Sequence, residues 1–168
     1  MSSQRMSIKH VVITVIFTVA SAGFGLIKLP GPVGSIALDS LPAFFSAAYF
    51  SPLVGGFVGG LGHLASAATS GFPLGPAHLF IALTMFCWCF LFGYLIRRID
   101  RPWAIVVAGV LAVALNAVLS PLLLAAIFPQ FRGLLSGLIV FLLVGASANV
   151  LLASVVFKVL SKLDLPGM

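Results

Sequence analysis

Seven side chains carry chemistry into stretches that are otherwise apolar: Asp39, His63, His78, Cys87, Cys89, Asn116 and Asn149. Asp39 stands in GSIALDSLPAFF and is one of only three acids in 168 residues. A charged group in such surroundings costs roughly 2.5–3.5 kcal/mol on insertion scales, so it needs a partner or a cavity. Two compatible readings exist. Asp39 caps the helix that begins beside it, or it contacts a ligand, because a capping carboxylate keeps acceptor sites free. His78 directly follows GFPLGP. On a helix Ala82 and Met85 lie nearly on its face and Trp88 within about a quarter-turn, an arrangement that suits a flat aromatic ligand with one polar edge. The alternative is a histidine at headgroup level over core aromatics. His63 follows GGFVGGLG and either bonds between helices or joins the same ligand. Asn116 and Asn149 read as mid-helix amides bonding across a bundle, with Asn116 also a ligand candidate near Pro121. Phe72, Gln130 and Arg132 fall in loops and are candidates for a lid.

Much chemistry is absent from the pattern. There is no acid pair for hydrolysis, no plausible Ser-His-Asp order, no HExxH and no Walker motif. The glycine run before His63 has neither the preceding strand of a dinucleotide fingerprint nor the lysine of a phosphate loop. Gly55–Gly59 and Gly56–Gly60 instead have the small-xxx-small spacing that lets helices approach closely. Cys87 and Cys89 point to different helical faces and read as packing residues. His63 and His78 with Asp39 make a metal site on paper, but nothing else supports one. The expectation is no metal and no cofactor in this chain.

These residues need elements to hold them, and composition decides which kind. The chain is 61% hydrophobic and 7% charged, with a mean hydropathy of +1.25. A soluble domain carries roughly a quarter charged residues, so this chain cannot cover a surface in water. It reads as one membrane-embedded domain over residues 1–168, all-α, with six crossings of roughly 20 residues each. The crossings begin in HVVITVIFTVASAGFGLIK, LDSLPAFFSAAYF, SPLVGGFVGGLGHLASAATS, AHLFIALTMFCWCFLFGYLI, WAIVVAGVLAVALNAVLSPLLLAAIF and LLSGLIVFLLVGASANVLLASVVFKVL. Pro121 is expected to kink the fifth. LPGPVGS, GFPLGP and PQFRG are loops. The first run also has features of a signal peptide, but its apolar pattern continues past ASA to Ile27, which favours a retained helix.

The net charge of +6 fits topology better than nucleic acid. Arg5, Lys9, Arg97, Arg98, Arg101, Lys158 and Lys162 fall on the side of the termini, against Lys28 and Arg132 on the other. By the positive-inside rule both termini are expected in the cytoplasm. Trp103, beside Arg101, reads as an interface anchor on that side. The three loops near 28–38, 70–77 and 128–133 then face outward.

The run GPVGSIALDSLPAFFSAAYFSPLVGGFVGGLGHLASAATSGFPLGPAHLFIAL resembles the substrate-binding S components of energy-coupling factor (ECF) vitamin transporters, over nearly the whole chain. In detail it is most similar to the subgroup that takes up α-ribazole, a dimethylbenzimidazole nucleoside salvaged for cobalamin; riboflavin-type S components share a similar LD…DxPA region. The resemblance implies a non-enzymatic protein in a prokaryotic cell membrane, with a pocket opening outward. It would dock on a transmembrane coupling subunit carrying two cytoplasmic ATPases, which use the ATP, and topple to deliver its ligand. Asp39, His63, Phe72, His78, Met85, Trp88, Asn116 and Gln130 are the expected ligand residues. Thr14, Thr18 and Ala22, with Ser21 and Gly25, have the spacing of the family's docking patch on the first helix, although no strict AxxxA occurs in that helix. Alternatives are an S component for riboflavin, pantothenate or a pyrimidine precursor, or a small membrane enzyme or scaffold.

Overall fold

The computed structural model describes residues 7–31 and 34–162. Arg5, counted above among the charges beside the termini, lies outside them. Six helices form the body: α1 (Ile8–Phe24), α2 (Leu41–Tyr49), α3 (Pro52–Thr69), α4 (Ala77–Arg98), α5 (Ala104–Ile127) and α6 (Leu135–Leu160). Three stretches are long and apolar enough to cross a membrane: Ala77–Arg98, Ala104–Ile127 and Pro129–Leu160, with α1 a shorter apolar helix. Their outer faces are exposed aliphatic surface, such as Val11, Val15 and Val19 on α1 and Val140, Val144 and Leu151 on α6. Such faces are stable only against lipid.

Two expectations are corrected. The connection after α1 is a β-hairpin, with β1 (Lys28–Gly31) paired antiparallel to β2 (Gly34–Ala37) in the register Lys28↔Ala37 through Gly31↔Gly34. Among the described residues the sheet has these two strands, and Pro30 pairs with Ser35. The second apolar run is not a full crossing. α2 has nine residues, about 14 Å at 1.5 Å per residue, against a hydrocarbon core of about 30 Å. It is a half-length helix sunk in the bundle, with Ala43, Phe44 and Ala47 fully buried. The chain therefore reaches the middle of the bundle before α2 begins.

Glycines set the depth of that burial. Ala47 of α2 fits between Gly55 of α3 and Gly93 of α4, where a Cβ on either glycine would collide with Ala47 backbone atoms. Gly59 meets Cys89 and the Met85 carbonyl, and Gly62 meets Ser21 of α1. The small-xxx-small run is thus the packing face of α3. Ser51 starts that helix by accepting from the Val54 amide at 3.1 Å, and Pro52 sits where no amide donor is needed. At the other end of α4, the Arg97 guanidinium donates to the Ala47 and Gly93 carbonyls at 2.6 and 3.3 Å, satisfying a free carbonyl at the end of α2.

The kink expected at Pro121 is a π-turn over Leu115–Leu119. Proline supplies no amide and crowds the preceding turn, and the wider turn absorbs this. Ser120 Oγ donates to the Leu115 carbonyl at 3.2 Å, and Trp88 Nε1 donates to Ser120 Oγ at 2.7 Å.

Candidate functional site

A cavity of about 440 Å³ lies between α3, α4, α5 and α6, below the hairpin and the turn that joins α3 to α4. That volume is within the range of small-molecule sites. Its wall has two characters. Ile81, Met85, Leu124, Leu138, Phe141 and Leu142 make an apolar side. Asp39, His63, Ser66, His78, Asn116 and Asn149 supply polar groups. Among the described residues Asp39 is the only acid on the wall, and no lysine or arginine lines it.

The short α2 explains why Asp39 is here. Asp39 precedes Leu41 by two residues, and His63 lies about 17 Å along α3 from Pro52 at 1.5 Å per residue, so both sit near mid-depth. Their side chains approach to 4.0 Å between His63 Nδ1 and Asp39 Oδ2. Ser66, almost one helical turn beyond His63, lines the same cavity as Asp39. Asp39 is not the N-cap; that position is Ser40, whose side chain makes no capping bond. The tight α3–α4 turn brings His78 opposite His63, with His63 Nε2 3.1 Å from His78 Nδ1. The Leu74 amide donates to His78 Nε2 at 3.2 Å. Gly71 and Gly75 take φ of 72° and 55° in that turn, where a side chain would be strained.

Five of the eight expected ligand residues line this cavity: Asp39, His63, His78, Met85 and Asn116. The other three lie elsewhere. Trp88 is turned toward α5 and bonds Ser120. Phe72 has φ 52°, is 41% exposed and meets the His78 ring edge-on at 5.7 Å. Gln130 is exposed in the 3₁₀ turn Pro129–Leu134. The aromatic ring on the wall is instead Phe141, one of many apolar residues in α6 and carrying no local signal of its position.

Asn149 is more involved than a mid-helix amide suggests. Its Nδ2 donates to the Gly145 carbonyl at 2.8 Å and to the Ala37 carbonyl at 3.0 Å, tying α6 to the last residue of the hairpin. Because two carbonyls fix the amide orientation, Oδ1 is the oxygen left buried without a partner among the described residues. Asn149→Ala is expected to lower stability by about 1–3 kcal/mol and to speed amide exchange across the hairpin. Hydrogen-exchange mass spectrometry checks this, and unchanged hairpin exchange would contradict it.

The small-residue patch of α1 packs within the bundle. Thr14 and Ser21 are buried, and Ser21 and Gly25 pack on Gly62 and Ser66 of α3. Ala22 and Thr18 are half-buried beside them. Close spacing of small residues allowed α3 to take this face, leaving Val11, Val12, Val15, Ile16 and Val19 exposed. Cys87 is exposed and Cys89 buried, on different faces as expected.

Residues 8–161 match the family of the ECF transporter, substrate-specific component. The chain belongs to that family: it is a multi-pass membrane protein that serves as the substrate-specific component of an ECF importer, a transport role carried out with the energising module. A search of curated proteins returned no match.

Proposed function

We propose that the cavity captures a small aromatic cofactor precursor outside the cell and that the chain delivers it through a coupling subunit energised by two ATPases. α-Ribazole is the first candidate. One observation carries this reading: a single 440 Å³ cavity pairs an apolar wall containing Phe141 and Met85 with the polar cluster of Asp39, His63 and His78. A planar ring suits the apolar wall, and its polar substituents suit the cluster. A wall whose described residues include one carboxylate and no cation disfavours phosphorylated or carboxylated ligands, which leave an anion unpaired. This favours a nucleoside over pantothenate. The run LDSLPAFF, in which Asp39 precedes the buried α2, supports the same subgroup. The excess of Lys and Arg beside the termini supports both termini in the cytoplasm and the cavity mouth outside.

The test is a thermal-shift screen of the purified protein with α-ribazole, riboflavin, pantothenate and hydroxymethylpyrimidine. α-Ribazole at 100 times its Kd is expected to stabilise by about 2.7 kcal/mol. A shift with pantothenate alone would overturn the charge argument, and no shift with any of the four would overturn the ligand class.

A further inference from the structure

The turn between α3 and α4 is wired to Asp39 through two imidazoles, and the direction of that wiring can be derived. A backbone amide only donates, so the Leu74 N–H at 3.2 Å requires a lone pair on His78 Nε2. His78 is therefore uncharged, with its proton on Nδ1. That nitrogen is 3.1 Å from His63 Nε2, and two ring nitrogens bond only when one donates and the other accepts. His78 Nδ1–H is the donor, so His63 Nε2 accepts. The proton of His63 is then on its Nδ1, which faces Asp39 Oδ2 at 4.0 Å. Each bond polarises the next in the same sense. Neither imidazole keeps a lone pair for a metal ion.

The last step is too long for a hydrogen bond, and both of its sides line the cavity. A separation of this kind is bridged by a third group. We infer that the Leu74–His78–His63 relay turns the gap between His63 and Asp39 into a reader for a ligand group that accepts and donates at once, a hydroxyl or the N–H and C=O edge of an amide. Such a group accepts from His63 Nδ1–H and donates to the Asp39 carboxylate. A ring nitrogen with only a lone pair, or an ether oxygen, fills half of it and leaves the carboxylate unanswered. On this reading His63 and Asp39 touch the ligand, and His78 is a positioning residue that sets the tautomer of His63. The inference rests on the cavity being the ligand site, and it narrows the ligand to one that presents a hydroxyl or amide at this point.

The direct test is ¹⁵N nuclear magnetic resonance of the ligand-free wild-type protein labelled at histidine, near neutral pH. Both His63 and His78 are expected to carry the proton on Nδ1 and to show an unprotonated Nε2, the less common tautomer of a free imidazole. A proton on Nε2 of either ring, or on both nitrogens of either ring, would overturn the relay. This result does not depend on which ligand binds, so it separates the relay from the proposed function. The functional arm titrates His78→Leu with α-ribazole and with dimethylbenzimidazole, the base without its sugar hydroxyls. Loss of the relay is expected to weaken α-ribazole about tenfold and leave the base unchanged. Equal weakening of both would assign His78 a role in shape alone and overturn the reader, while a wild-type protein that binds neither compound would count against α-ribazole as the ligand.

Discussion

Asp39→Asn is expected to weaken ligand binding by about 10- to 100-fold while leaving the protein folded and no less stable. The carboxylate is the one acid on the cavity wall among the described residues. A ligand donor meeting it makes a charge-assisted bond, which contributes about 1.5–3 kcal/mol. The amide keeps the shape and replaces that bond with a neutral one, or presents its own NH₂ to the ligand donor. Stability moves the other way, because a carboxylate at mid-depth is held against a desolvation cost that the amide does not carry. Equilibrium titration with α-ribazole beside thermal unfolding separates the two effects. Unchanged affinity would show that Asp39 does not touch the ligand, and a fall in stability beside it would show that Asp39 serves only the fold.

Gly55→Ala is expected to destabilise the protein by about 3 kcal/mol or more and to abolish ligand binding with it. An added methyl at most helical glycines stabilises, since alanine is favoured over glycine by about 1 kcal/mol. At position 55 the new Cβ collides with the backbone and Cβ of Ala47, which cannot rotate away. Ala47 is held from the other side by Gly93, and its carbonyl by Arg97. α2 must move as a body, and overpacking of this kind costs typically 1–3 kcal/mol, more where backbone is displaced. Because Asp39 enters the cavity just ahead of α2, binding falls with stability. Gly23→Ala is the matched control: nothing lies within 4 Å of the Cβ it adds. It is expected to be neutral or to stabilise by up to about 1 kcal/mol. Equal behaviour of the two variants in thermal unfolding would contradict the packing described for α2.

Much of the architecture is legible in the sequence because lipid imposes a strict rule on composition. The long apolar runs that became α4, α5 and α6 declare themselves by length alone. The α3–α4 turn is legible from GFPLGP, and once it is placed, His63 and His78 must meet across two antiparallel helices. Asp39 is legible because a carboxylate among apolar residues needs a reason. What escapes the sequence is decided by neighbours. LDSLPAFFSAAYF reads the same whether it spans lipid or is buried among helices, since both environments favour the same apolar residues. The half-length of α2 depends on Gly55 and Gly93 in other helices. Trp88 shares a helical face with the cavity residues by spacing, but the π-turn beside Pro121 offers Ser120 as a partner for its indole nitrogen. Thr14, Ser21 and Gly25 identify a close-packing face without saying which helix takes it, and α3 does. Phe141 is one apolar residue among many on α6, and only the enclosing helices single it out.

Native mass spectrometry of the chain released from membranes tests the central assignment most directly. The expected spectrum shows one small metabolite bound per wild-type chain, at the same mass in every charge state and absent from Asp39→Asn prepared in parallel. A wild-type chain that carries only lipid, or a metabolite retained undiminished by Asp39→Asn, would contradict the assignment of this cavity as the ligand site.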